Sequence, residues 1–241
     1  MAQPTHLLRV RINPLVWTDV EFGGRQVPPA EVTEESALRF LCGPEADPRL
    51  PHLIERYQEI STDTSDLQFA LSYPVIEEKF IQPLMHAKAS YLTGNFLGLI
   101  ALCGLVGEMI TIMMFQITKV TIQKKPMEEN LQKDLFGNSF EGLGQSRRLA
   151  VLKAYGIIDD DIFRRLNTTY KTRNKYLHRL THDHGAIKAD AKAVFADTVK
   201  VMAWFLGANF GGGPGIVSLR PELIKYLIEM NVIEPATKDA G

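Results

Sequence analysis

Lys171-Thr172-Arg173-Asn174-Lys175-Tyr176-Leu177-His178 is the stretch whose reading decides the fold. Taken as part of one helix over 162–180, with Ile162 at 0°, it can be placed on a wheel at about 100° per residue. Leu166 then falls at about 40°, Tyr170 at about 80°, Leu177 at about 60° and Leu180 near 0°, forming one apolar stripe. Arg173 falls at about 20°, inside that stripe, while Asn174 and His178 stand one turn apart on its shoulder. An arginine on the inward side must find acceptors, because a buried guanidinium without them is destabilising. The alternative is that its head group snorkels to the edge of the helix and pairs elsewhere.

The acceptor is sought in the most apolar part of the chain. Residues 95–115 run almost without interruption through Leu, Ile, Val, Met and Phe, with Gly98, Gly104 and Gly107 among them and one acid, Glu108. The stretch is long enough to cross a bilayer at ~1.5 Å per residue. Glu108, the glycines and the lack of a second such run favour the central helix of a soluble bundle, with glycines that let a neighbouring helix approach closely. A carboxylate buried alone among Leu105, Val106, Met109 and Ile110 costs several kcal/mol. Glu108 is therefore expected to be protonated, to sit at a site, or to be paired, and Arg173 is the partner expected.

Working outward, the chain reads as three parts: an acidic segment over 1–73, a helical domain over 74–210, and a glycine-rich break with a last helix over 211–241. Leu7 to Phe22 alternates roughly in polarity and Gly23-Gly24 is a turn signal, which together suggest a β-hairpin. Thr33-Glu34-Glu35-Ser36 reads as a helix start, and a second helix is expected from Pro51 to Ile60. Helical spacing resumes at about Pro74, with Pro83 as a kink or restart. The polar, glycine-bearing residues 126–145 read as a partly mobile connection. Ser146 is the expected cap of a helix that Gly156 stops. Asp159-Asp160-Asp161 opens the next helix, where acids suit the dipole. Helices follow over 186–206 and 220–230. Gly211-Gly212-Gly213-Pro214 is not a phosphate loop, since no Lys-Ser/Thr follows it.

The chain has 241 residues, 45% of them apolar, and a net charge of −1, so no global field points to nucleic acid. The charge is uneven. Residues 1–80 hold 7 Lys+Arg against 13 Asp+Glu, whereas 147–179 hold 9 against 3. Such asymmetry arises from solvated faces, and also from a local phosphate-binding surface. The acidic segment is a candidate surface for a protein partner. Cys42 and Cys103 lie in apolar surroundings without a CxxC pattern, which suggests buried thiols in a reducing compartment. With no apolar leader at the N-terminus, a cytoplasmic protein without a membrane anchor is expected. His178, His182 and Asp183-His184 admit a zinc reading, but no cysteine or glutamate stands beside them at ligand spacing; no metal and no cofactor is expected.

Arg173-Asn174-x-x-x-His178, late in a helical domain and after an apolar helix with a lone acid, resembles the HEPN superfamily. Its signature is Arg, four to six residues, then His, often with a polar residue directly after the Arg. The resemblance covers roughly residues 75–207. It implies an all-α bundle that forms a homodimer, and in many members a metal-independent endoribonuclease. On that implication Arg173, Asn174 and His178 are catalytic, Glu108 supports them, and Lys171, Lys175 and Arg179 contact phosphate. The residue types suit the chemistry: a histidine near neutral pKa moves the proton of a ribose 2′-hydroxyl or a leaving oxygen, and an arginine offsets phosphate charge. The products implied are a 2′,3′-cyclic phosphate and a 5′-hydroxyl. By the same analogy, phage defence or an RNA stress response is the setting. Other members act as non-catalytic binding or dimerisation modules. The toxin branch known as HepT usually carries a tyrosine two residues after the histidine; Leu180 stands here, so regulation through that residue is not expected.

Overall fold

The computed structural model describes residues 50–61, 76–118, 121–122, 125–177, 184–207 and 220–230. The expected hairpin, the helix at 33–36 and Cys42 lie outside them. The described chain is mainly helical, an all-α bundle. Its elements are α1 (Leu50–Ser61), a π-helical turn (Glu77–Ile81) leading into α2 (Gln82–Leu92), α3 (Phe96–Thr118), α4 (Glu129–Phe136), α5 (Gln145–Ala154), α6 (Asp160–Leu177), α7 (Ile187–Leu206) and α8 (Pro221–Glu229). Thr121–Ile122 and Lys125–Pro126, β1 and β2, form a two-residue antiparallel ladder after α3.

The apolar run becomes α3, and α2, α5, α6 and α7 pack around it. It is the one described helix long and apolar enough to cross a membrane by length and composition. Leu99, Ile100, Cys103, Val106, Ile110 and Met114 turn one side of it into the core, against Phe80, Leu166, Val199 and Phe205 among others. Each fully buried side chain of this size contributes about 1.5–3 kcal/mol of transfer free energy. Burial pushes the Cys103 thiol up to about 12, although a hydrogen bond with Thr198 works the other way.

Pro83 is a restart. It sits in the first turn of α2, where its missing N–H is harmless, and the preceding turn widens so that the Gln82 N–H bonds the Glu77 carbonyl. Ile60 of α1 belongs to the same buried cluster as the bundle, so residues 50–61 share its core although the sequence assigns them to the acidic segment. Arg56 Nη1 donates to the Leu92 carbonyl (2.9 Å), and Lys188 meets Glu59 at 2.9 Å. At the other end Leu223 and Leu227 of α8 are buried, and Tyr226 Oη donates to Gln116 Oε1 of α3 (2.8 Å).

Two local expectations change. Residues 126–145 are built rather than loose. They carry α4 and a 3-10 turn (Phe140–Gly142), and Phe140 stacks on Phe115 of α3 with ring centroids 3.9 Å apart. The Phe140 N–H donates to Gln132 Oε1 (2.9 Å), Gln116 of α3 donates to Glu141 Oε1 (2.6 Å), and Met127 and Leu143 are buried with Phe140, so a polar sequence is tied to the core at several points. The cap of α5 is Gly144, not Ser146, because the Gly144 carbonyl already accepts from the N–H groups of Arg147 and Arg148. Gly156 ends that region with φ at +68°, a conformation glycine adopts without penalty. The triple aspartate opens α6 as expected: Asp159 Oδ1 accepts from the Ile162 N–H (2.8 Å).

Candidate functional site

Helix α6 carries the motif, and its buried residues are Ile162, Leu166, Thr169 and Tyr176. On the wheel they centre near 0°, so Arg173, at about 20°, points into the bundle. The stripe itself is shifted from the one expected. Leu177 is 39% exposed and Tyr176 is buried in its place. The tyrosine can be buried because its hydroxyl is satisfied, donating to Asp190 Oδ2 of α7 (2.7 Å).

Arg173 crosses to α3 and its Nη1 pairs with Glu108 Oε1. The two side chains keep 28% and 30% of their surface exposed, so the pair lies at the edge of the core and not beneath it. Gly104 makes the crossing possible. A Cβ there would collide with Arg173 Cδ and lie 3.3 Å from Cγ and Nε. A Cβ at Gly107, one turn on, would stand only at ordinary van der Waals distance from Leu166. Gly104 thus opens a notch in α3 for the arginine of α6. Thr111 steadies the acid's turn: its hydroxyl donates to the Glu108 carbonyl (2.7 Å) and lies 3.1 Å from Gln145 Oε1 of α5. Arg173 Nε is buried without a hydrogen-bond partner among the described residues. The guanidinium is held by one carboxylate oxygen, and any donor it offers a ligand must come from its Nη groups, since Nε is covered.

The other expected site residues divide. Asn174 is half-buried beside Arg173, and Lys171 is exposed. Lys175 is engaged by Asp190, its Nζ 2.7 Å from Oδ2, and is thus not a free phosphate contact. Asp190 raises the Lys175 pKa by hydrogen bond and charge, while Tyr176 also bonds it. His178, Arg179, Leu180 and His182 lie outside the described residues. His184 is exposed and packs edge-on against Tyr176, ring centroids 5.5 Å apart. Among the described residues no group of three His, Cys, Asp or Glu side chains is placed to hold a metal ion.

A narrow crevice beside the pair is lined by Gly104, Glu108, Gln145, Thr169, Tyr170 and Arg173. Tyr170 also lines a shallow cleft of about 270 Å³ between α6 and the 137–147 region. The sequence placed Tyr170 in the apolar stripe and named Gly104 only among the glycines that let a helix approach; it did not single out Gln145, Asp190 or Arg147. The spacing Gly104-x-x-Gly107-Glu108 was the available signal for Gly104, since a glycine one turn before a buried acid leaves room for the acid's partner. No family model, curated protein or solved structure matches this chain.

Proposed function

We propose that the chain is a HEPN-like, metal-independent endoribonuclease acting as a cytoplasmic homodimer on RNA. The observation that carries this reading is Arg173: it is fixed by Glu108 at the edge of the bundle, partly open to solvent, and separated from His178 by four residues in the chain. On this reading Arg173 holds the scissile phosphate through its remaining donors and offsets the charge that develops there. His178 takes the 2′-hydroxyl proton or returns one to the leaving 5′-oxygen, and attack of O2′ on phosphorus expels that oxygen. Asn174 orients either group, and Glu108 keeps the guanidinium aimed. Charge neutralisation comes from Arg173 and proton transfer from His178, so this chemistry needs no metal ion.

The test is incubation of purified protein with transfer RNA or total RNA in EDTA. Cleavage leaving 2′,3′-cyclic phosphate ends, lost in His178→Ala with the melting temperature nearly unchanged, supports the reading. A second reading, an RNA-binding or dimerisation module without catalysis, is favoured by the engagement of both Arg173 and Lys175 with acids. It predicts that no RNA is cut and that Arg173→Ala acts on stability alone.

A further inference from the structure

Residues 147–177 are rich in cations, and the fold neutralises most of them. Lys153 pairs with Asp160, Arg164 with Asp161, Arg165 with Asp161 and Asp197, Arg173 with Glu108, and Lys175 with Asp190. Arg148 donates to the Glu141 carbonyl (2.8 Å). Arg147 and Lys171 are both exposed, and neither pairs with an acid among the described residues. Arg147 lines the 270 Å³ cleft, together with Gly137, Asn138, Gly144, Ser146 and Tyr170. Lys171 follows Tyr170 in α6.

Three properties of the cleft point the same way. One wall is aromatic. Arg147, an exposed cation with no acid partner among the described residues, lies on its lining. The cleft also neighbours the Arg173 crevice, since Tyr170 lines both. A Cβ at Gly137 or Gly144 would meet nothing within 4 Å, so there is open space beside both glycines. Proteins that hold single strands use this combination, stacking bases on aromatic faces and tracking the backbone with cations.

We propose that this cleft is a nucleotide subsite for single-stranded RNA, next to the scissile position. One base stacks on Tyr170, and Arg147 meets a phosphate of the same strand. The subsite rests on the RNA reading above and extends it: the strand that presents its phosphate to Arg173 passes over Tyr170 into the cleft. Substrates must then be unpaired on that side of the cut, because a base held in a duplex cannot reach the ring.

The experiment is fluorescence anisotropy with a labelled 2′-O-methyl oligouridine about ten nucleotides long, a length within the usual footprint of single-strand binders. The blocked 2′-oxygen separates binding from cleavage. Wild-type protein binds. Tyr170→Leu weakens binding about tenfold, while Tyr170→Phe, which keeps the ring, stays near wild type. Arg147→Ala weakens binding several-fold and lowers the salt slope by about one phosphate contact. Arg164→Ala, which removes a cation already paired with Asp161, leaves binding unchanged. If wild type binds and both Tyr170→Leu and Arg147→Ala bind equally well, the subsite is wrong and the RNA reading stands. If Tyr170→Phe is as weak as Tyr170→Leu, stacking is overturned. If wild type neither binds this probe nor cuts RNA, the RNA reading falls and takes the subsite with it. Arg147 is exposed, so its variant tests the subsite even should Tyr170→Leu fail to fold.

Discussion

Helix α6 sends two arginines across to neighbouring helices, two turns apart, and treats them differently. Arg165 reaches Asp197 of α7 at 2.5 Å and Asp161 of its own helix at 2.7 Å. Its side chain and that of Asp197 are each only 17% exposed. Those acids together raise its pKa: the Asp161 hydrogen bond leads, burial opposes it, and Asp197 adds to it. Arg173 has one carboxylate partner, nearly twice the exposure, and a buried Nε with no partner among the described residues. An arginine with its donors matched on both sides is a clamp between helices. One that is aimed by an acid through a single oxygen is, on the proposed reading, the one whose Nη donors meet a ligand anion.

Breaking this contrast gives the predictions, from the largest effect to the smallest. Arg173→Ala should lower cleavage roughly 100-fold or more, the scale of losing one charge-stabilising donor, as read by initial rates on RNA. Arg165→Ala should leave the rate per folded molecule close to wild type and cost about 2 kcal/mol of stability in urea unfolding. That figure lies between exposed and fully buried pairs, since the pair is mostly but not wholly covered. Equal effects of the two substitutions on both readouts would erase the distinction drawn here.

Gly104→Ala sharpens it further. The added methyl collides with Arg173 Cδ and leaves Arg165 untouched. Activity should fall about tenfold, with a stability loss of about 1–3 kcal/mol as for other overpacked sites. Combining it with Arg173→Ala should recover part of that stability, because the colliding atoms are gone. The smallest effect concerns Cys103, buried in the core on α3. Its thiol titrates at about 12 in the folded chain against an ordinary 9.0, burial being the main cause. The contribution is therefore whole below about pH 9 and is lost as pH rises from there towards 12. In a Cys42→Ser background the remaining thiol should resist a disulfide reagent at pH 8 until the protein is unfolded. Rapid labelling of the native protein would contradict that burial.

Much of this was legible before any coordinates. The 3.6-residue period put Arg173 on the inward side of its helix, and the cost of a lone buried carboxylate pointed from Glu108 to the same place. Helix ends written in local chemistry, such as Asp159 before α6 and Gly156 after α5, could be read directly. What could not be read depends on neighbours distant in sequence. Tyr176 displaces Leu177 from the stripe because Asp190, on another helix, satisfies its hydroxyl. Lys175 is taken up by that same carboxylate, so its charge is not available as its sequence position suggested. The region 126–145 looked loose because its order comes from partners distant in sequence, such as Phe115 stacked on Phe140, 25 positions away.

The central claim is that Arg173 and His178 act together on an RNA phosphodiester. The most direct measurement is end-group analysis of RNA incubated in EDTA with wild type, Arg173→Ala and His178→Ala. The account predicts 2′,3′-cyclic phosphate ends from wild type and none above background from either variant, with all three proteins folded. Intact RNA in every lane, or the same ends from His178→Ala as from wild type, would contradict it.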